Sequence, residues 1–246
     1  MLFTRASLLG LALLAGGTAS SFAADLGSLR GDEEDRTANA GAARFYLRGD
    51  LGYDWNRAPS LDENGTGFDS SSISNTWNYG GGLGWYLSPN WRMDVTAEHH
   101  NDAKVSGAVT STAFTGTEEF NVSSTVVLAN VYYDFTGRAG FNPYLGAGIG
   151  WAHNYAHGGI ATDLCGCVTT IDSGAQDNFA WDVTAGVTRE LDRGFSLDLN
   201  YRLLDMGGAH TGNLVNKLGH AITNTDPTAS AIYSNEIRVG VRYDIQ

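Results

Sequence analysis

The sequence predicts an all-β chain folded as an eight-stranded antiparallel up-and-down transmembrane β-barrel. Three observations carry that prediction: eight segments of about ten residues with period-two alternation, connections that alternate between short and long, and tryptophans near strand ends on the apolar face. Composition alone points elsewhere. The chain has 246 residues, 42% hydrophobic and 17% charged, with a mean hydropathy of −0.19, and at first sight resembles a soluble acidic domain. No internal run reaches the roughly 18 apolar residues of a membrane helix. The 27 Asp and Glu against 15 Lys and Arg argue against a nucleic-acid partner, since phosphate binding needs clustered cations. Glycine is the anomaly: 32 residues is nearly twice the usual share of roughly 7%.

Residues 1–23 read as a secretory signal. Arg5 precedes the apolar stretch Leu8 to Ala15, and Ser21-Phe22-Ala23 places small residues at −3 and −1 of a cut before Ala24. Export would bring Cys165 and Cys167 into an oxidising compartment, but their single intervening residue is expected to strain a bridge. Residues 24–43 are polar and acidic, with the run Asp32-Glu33-Glu34-Asp35, and read as a flexible linker.

The barrel is expected over 44–246. In 45–55 the odd positions are apolar or Gly, while Arg48, Asp50 and Asp54 take the even ones. In 77–87, Trp77, Tyr79, Leu83 and Trp85 oppose Gly80, Gly82 and Gly84. In 91–100, Trp91, Met93, Val95 and Ala97 oppose Arg92, Asp94, Thr96 and Glu98. In 125–135, Val127, Val131 and Tyr133 oppose Asn130, Tyr132 and Asp134. The next four segments repeat the scheme. Leu145, Ile149 and Trp151 alternate with Gly146, Gly148 and Gly150, and Phe179, Trp181 and Val183 with Asp182 and Thr184. Leu197, Leu199 and Tyr201 alternate with Asp198 and Arg202, and Ile237, Val239 and Val241 with Glu236, Arg238 and Arg242. Ten residues is the length of a tilted membrane-crossing strand.

Short connections follow the second, fourth and sixth segments, and long ones (57–74, 101–121, 154–177 and 207–232) follow the odd-numbered segments. All long loops then fall on one side of the membrane. Trp55, Trp77, Trp151 and Trp181 lie at long-loop ends and Trp85 and Trp91 at short-turn ends, as two interfacial girdles require. The inward glycines are expected to make room inside a narrow barrel. Their GxGxG spacing fails as a phosphate cradle, because no helix follows.

The segments Tyr46-Leu47-Arg48-Gly49-Asp50-Leu51-Gly52-Tyr53, Asn142-Pro143-Tyr144-Leu145-Gly146-Ala147-Gly148-Ile149-Gly150 and Glu236-Ile237-Arg238-Val239-Gly240-Val241-Arg242-Tyr243 resemble the OmpA-like, opacity-type eight-stranded outer-membrane β-barrels of alphaproteobacteria, a family that includes small porin-labelled surface antigens. The resemblance covers about 44–246, strong in strands and weak in loops. It implies a monomer in the outer membrane, in contact with lipid, lipopolysaccharide and the assembly machinery, with loops free to meet an extracellular ligand or host surface. Family members usually end on an aromatic residue, whereas this sequence ends Tyr243-Asp244-Ile245-Gln246, so insertion is expected at lower efficiency.

Arg48, Asp50, Arg92, Asp94, Glu98, Asp182, Asp198, Arg202, Glu236, Arg238 and Arg242 share the inward parity and are expected to form an ionic network that fills the lumen. An ion-conducting, porin-like lumen is the alternative. His99, His100, His153, His157 and His210 are expected at or beyond the extracellular rim, where imidazoles could hold a metal or haem iron. No pair has a ligand spacing, and no cofactor is expected. His210-Thr211-Gly212-Asn213 has a faint likeness to the His-centred segment of a lipid A hydrolase. It lacks a neighbouring serine nucleophile and a carboxylate orienter, so no catalytic residues are assigned. The expected role is structural and interactive.

Overall fold

The computed structural model describes residues 45–63, 66–110, 115–137, 140–215 and 227–245. The expected signal and the acidic segment 24–43 lie outside the described residues, as does His220, a further histidine of the last long connection. Eight strands form a closed ring: β1 Phe45–Arg57, β2 Thr76–Tyr86, β3 Trp91–Thr110, β4 Thr115–Asp134, β5 Phe141–Asp163, β6 Gly174–Glu190, β7 Phe195–Asp205 and β8 Tyr233–Ile245. Each pairs antiparallel with its sequence neighbour. β8 returns to β1 from Phe45↔Ile245 to Arg57↔Tyr233, which closes the barrel and leaves no free edge among these eight strands.

The alternation sorts side chains as lipid demands. Leu51, Leu83, Ile149, Val183, Leu199 and Val239 point outward and are exposed, while their even-numbered neighbours are largely buried inside. The inward glycines provide clearance. A Cβ on Gly84 would fall 2.2 Å from the Tyr46 ring, and one on Gly146 would fall 2.3 Å from the Tyr132 ring. Two bulky phenols therefore lie across the lumen because the facing wall has no side chains there.

The long connections 101–121 and 154–177 are not loops, which corrects the sequence expectation. β3, β4 and β5 run 20, 20 and 23 residues, well beyond the membrane span. The physical reason is a reversal of polarity. Up to His100 the inward face of β3 is polar. Past a bulge between His100 and Ala103 the inward positions become Ala103, Val105 and Val109, while Lys104 and Thr110 face out. β5 shifts its inward parity in the same way at Gly158, whose φ of +62° suits a bulge, from Ala152, Asn154 and Ala156 below to Gly159 and Ala161 above. Below the bulges the surroundings are lipid and the interior carries most of the charged groups, giving way to Val126, Leu128 and Ala152 near its top. Above the bulges the surroundings are water and the interior is mainly apolar, with Glu118 the buried exception. The eight residues Ala103–Thr110 raise this collar about 27 Å along the strand.

The first and last long connections turn inward. Leu61–Glu63, Thr66–Gly67, Ala209–His210 and Thr228–Ala229 form a small antiparallel sheet. Leu61, Ala209, Ala229 and Ile232 join Val105, Phe120, Leu128, Ala152, Ala180 and Leu204 in one buried cluster. An apolar plug therefore closes the extracellular end above the polar lumen.

Candidate functional site

Two regions carry chemistry: the lumen and the collar. At the periplasmic end of the lumen, Arg92 lies 4.1 Å from the Tyr132 ring centre and 4.7 Å from that of Tyr144, with its Nε 3.0 Å from Asp134. Arg242 sits over the Tyr46 ring, and Tyr144 donates to Asp198 at 2.7 Å. In the middle, Arg48 bridges Asp50 (2.7 Å) and Asp94 (2.9 Å), and Asn130 also donates to Asp94. Above them Arg202 grips both Glu98 and Glu236, and Arg238 bonds Glu98 at 2.8 Å and approaches Asp50 at 3.4 Å. Asp182 accepts from Thr184 at 2.8 Å. A cavity lined by Arg48, Asp50, Arg92, Asp198 and Arg242 measures about 10 Å³, room for roughly one water.

Sequence parity missed four features of this interior. Tyr46 is fully buried beside Arg92. Asp54 bonds His100 at 2.8 Å. Asn78 donates to Asp54. The apolar residues Val126, Leu128 and Leu204 occupy inward positions high in the wall. Their inward register was the available signal.

His100 is not at the surface, which corrects its placement at the rim: its ring is buried in the lumen. His99 and His153 point outward on β3 and β5 and both lie opposite Thr125 of β4, two strand spacings or about 9.6 Å apart. His157 stacks on Tyr155 and reaches Asp102 at 3.4 Å, while His210 bonds the Thr211 carbonyl. The five histidines do not converge. Among the described residues, the acid- and imidazole-rich cluster that includes one of them is Asp54–His100–Glu236.

All six tryptophans lie on outward-facing positions. Trp55 and Trp77 both pack edge-on against Tyr53 near the extracellular interface, and Trp91 packs edge-on against Tyr133 at the other. Trp151 pairs across from Phe179, Trp181 bonds Asp205, and Trp85 pairs with Phe45 and Met93.

The collar tip carries the two cysteines. Cys165 and Cys167 are joined, with Cα atoms 5.4 Å apart. Gly166 makes this feasible by adopting φ +76°. Asp163 Oδ1 accepts from both cysteine N–H groups at 2.9 Å, and the turn is solvent-exposed.

Inside the collar, Glu118 is fully buried, and among the described residues neither carboxylate oxygen has a hydrogen-bond partner. Burial, reinforced by the Glu63 charge, pushes its pKa up to about 8. The folded state therefore holds this proton more tightly than the unfolded chain. Wild-type stability is expected to fall as pH rises from about 4.3, the ordinary glutamate value, through about 8. E118Q should match wild type near pH 5 and exceed it at pH 9, read as thermal midpoints of refolded protein. Equal midpoints at both pH values would contradict the assignment.

A closed eight-stranded barrel with an apolar belt, aromatic girdles and an ionic interior defines a small outer-membrane barrel protein. The chain belongs to the outer membrane protein beta-barrel domain family, whose family model matches residues 9–244. It is 26% identical over 244 residues to an uncharacterized protein of Brucella suis, spanning 83% of this chain and 86% of that one. It is 30% identical over 178 residues to a Rickettsia massiliae protein named as a candidate adhesin, spanning 67% and 72%. Among solved structures it is similar in fold to outer membrane protein OprG of Pseudomonas aeruginosa, with a TM-score of 0.52 and 12% identity, covering 83% of this chain and 97% of that one. The protein resides in the cell outer membrane.

Proposed function

We propose that this protein is a non-catalytic surface-interaction barrel, a membrane anchor that presents a stiff collar to an extracellular ligand or host surface. The observation that carries this reading is the polarity reversal. β3, β4 and β5 continue past the lipid as paired strands around their own apolar core, a structure that anchoring alone does not require. The outer face of the collar on β3 and β4 is mostly polar, with the exposed pair Lys104–Glu119 at 2.7 Å, and its tip carries the Cys165–Cys167 turn beside exposed Leu164 and Val168. The relative named as a candidate adhesin supports the same direction.

The test expresses the protein on a non-adherent Gram-negative host and measures attachment to cultured cells and matrix-coated surfaces. The comparison is a variant in which residues 105–118 are replaced by a two-residue turn. Both must show heat-modifiable gel mobility, which reports a folded barrel. Attachment by wild type and its loss in the trimmed variant are expected. Equal attachment by the two, or none by either, would sink the reading. Large stable conductance steps from the same preparation in planar bilayers would favour a porin instead.

A further inference from the structure

We propose that Asp54, His100 and Glu236 form a binding site for one divalent cation of the zinc class at the extracellular end of the lumen. Asp54 and Glu236 face each other in the β1–β8 register, and His100 joins them from β3. One potential ligand atom from each residue lies within 4.8 Å of the other two, and all three residues are buried. Zinc bonds to nitrogen and oxygen are about 2.0–2.2 Å, so small side-chain rotations bring these atoms to a common ion. One imidazole with two carboxylates is a donor set of borderline hardness, which suits zinc better than calcium or magnesium.

Two independent observations point to a ligand. Among the described residues, Nε2 of His100 and Oε1 of Glu236 are both buried without a hydrogen-bond partner, the Glu98 carboxylate lying 4.0 Å from Nε2, and buried polar atoms are rarely left so. The neighbouring charges do not balance either. Asp50, Asp54, Asp94, Glu98, Asp182, Asp198 and Glu236 are buried in the lumen, against Arg48, Arg92, Arg202, Arg238 and Arg242. Glu98 and Glu236 share Arg202, and Arg238 is drawn to Glu98 and Asp50. Among the described residues Asp54 bonds Asn78 and His100, so its one cationic partner is a protonated imidazole and not a guanidinium. A dication there offsets the excess beside Asp54, while Glu236 keeps Arg202 on its other oxygen. It also ties β1, β3 and β8 together, the ring's closing seam included.

The plug seals this end, so the ion is expected to enter as the barrel closes. The protein is therefore unfolded with a chelator, refolded in detergent with or without Zn²⁺, and freed of unbound metal before elemental analysis. One zinc per chain is expected, with a higher thermal midpoint than the metal-free preparation. H100Q and D54N that retain heat-modifiable mobility should bind only background zinc. A C165S/C167S variant and an H153A/H157A variant should keep full stoichiometry, which excludes the tip turn and the outward histidines as the source. Should H100Q or D54N fail to fold, Co²⁺ loading of wild type gives a second reading through visible absorption with nitrogen and oxygen donors and no thiolate band. No zinc above background in wild type would overturn the proposal, as would zinc retained by folded H100Q or a thiolate band with cobalt.

Discussion

Replacing Arg202 with methionine is expected to cost the folded barrel about 3–5 kcal/mol, because it strands buried carboxylates instead of removing an isolated contact. Arg202 is 1% exposed, and its guanidinium donates Nε to Glu236 at 2.8 Å and Nη1 to Glu98 at 3.1 Å. Methionine fills much of the same volume, so the loss isolates charge from packing. Arg238 remains beside Glu98 but leaves Glu236 without its ion pair. The triple variant E98Q/R202M/E236Q removes the charges together and should recover most of the loss, since a buried ion network is often no more stable than neutral groups of similar shape. Urea unfolding in detergent micelles, followed by tryptophan fluorescence, gives both numbers. A loss below about 1 kcal/mol in R202M would show that water or lipid headgroups solvate this part of the lumen.

Arginine placed on the outward face of β5 should have opposite consequences at two heights. Ile149 and Ile160 both point away from the barrel and are exposed to whatever surrounds it. Ile149 lies at the level of the lipid belt, where a charged side chain costs about 2–4 kcal/mol near the midplane. Ile160 lies above the Gly158 bulge, where the surroundings are aqueous, and a surface substitution should change stability by no more than about 0.5 kcal/mol. I149R should therefore fold poorly into vesicles while I160R folds as wild type. Equal penalties would mean that the membrane boundary does not coincide with the reversal of polarity.

The eight membrane strands were legible because lipid imposes one rule on the outer face of every strand, and Leu, Val, Ile and Trp obey it at fixed parity. The inward ionic residues followed from the same rule. Their partners did not, because pairing across the lumen depends on strand stagger: Arg202 meets Glu98 from 104 positions away. The collar was hidden for a related reason. β3 and β5 keep period two but reverse its sense, so Lys104 and Thr110 on the outside imitate loop residues, and the shift occurs at bulges against β4 whose pairing is needed to see them. His100 was misplaced because proximity to a strand end was taken for exposure, whereas its parity with Arg92 and Glu98 turns it inward. The Cys165–Cys167 bridge depended on the left-handed backbone of Gly166, which spacing alone does not reveal.

The seam between β1 and β8 joins segments almost two hundred residues apart, and this dictates when the molecule can become stable. Contacts so remote in sequence form slowly, because a long loop must close first. Until they form, Arg48 and Asp50 on one margin of the sheet and Glu236 and Arg238 on the other lie on strands with unpaired backbone, and the Arg238–Asp50 contact does not exist. An open sheet therefore lacks this ion pair along the same margins that lack hydrogen bonds. Both penalties vanish in one event. Half-closed intermediates gain little from partial zippering, so assembly is expected to proceed without a stable stopping point once the last strand docks against the first.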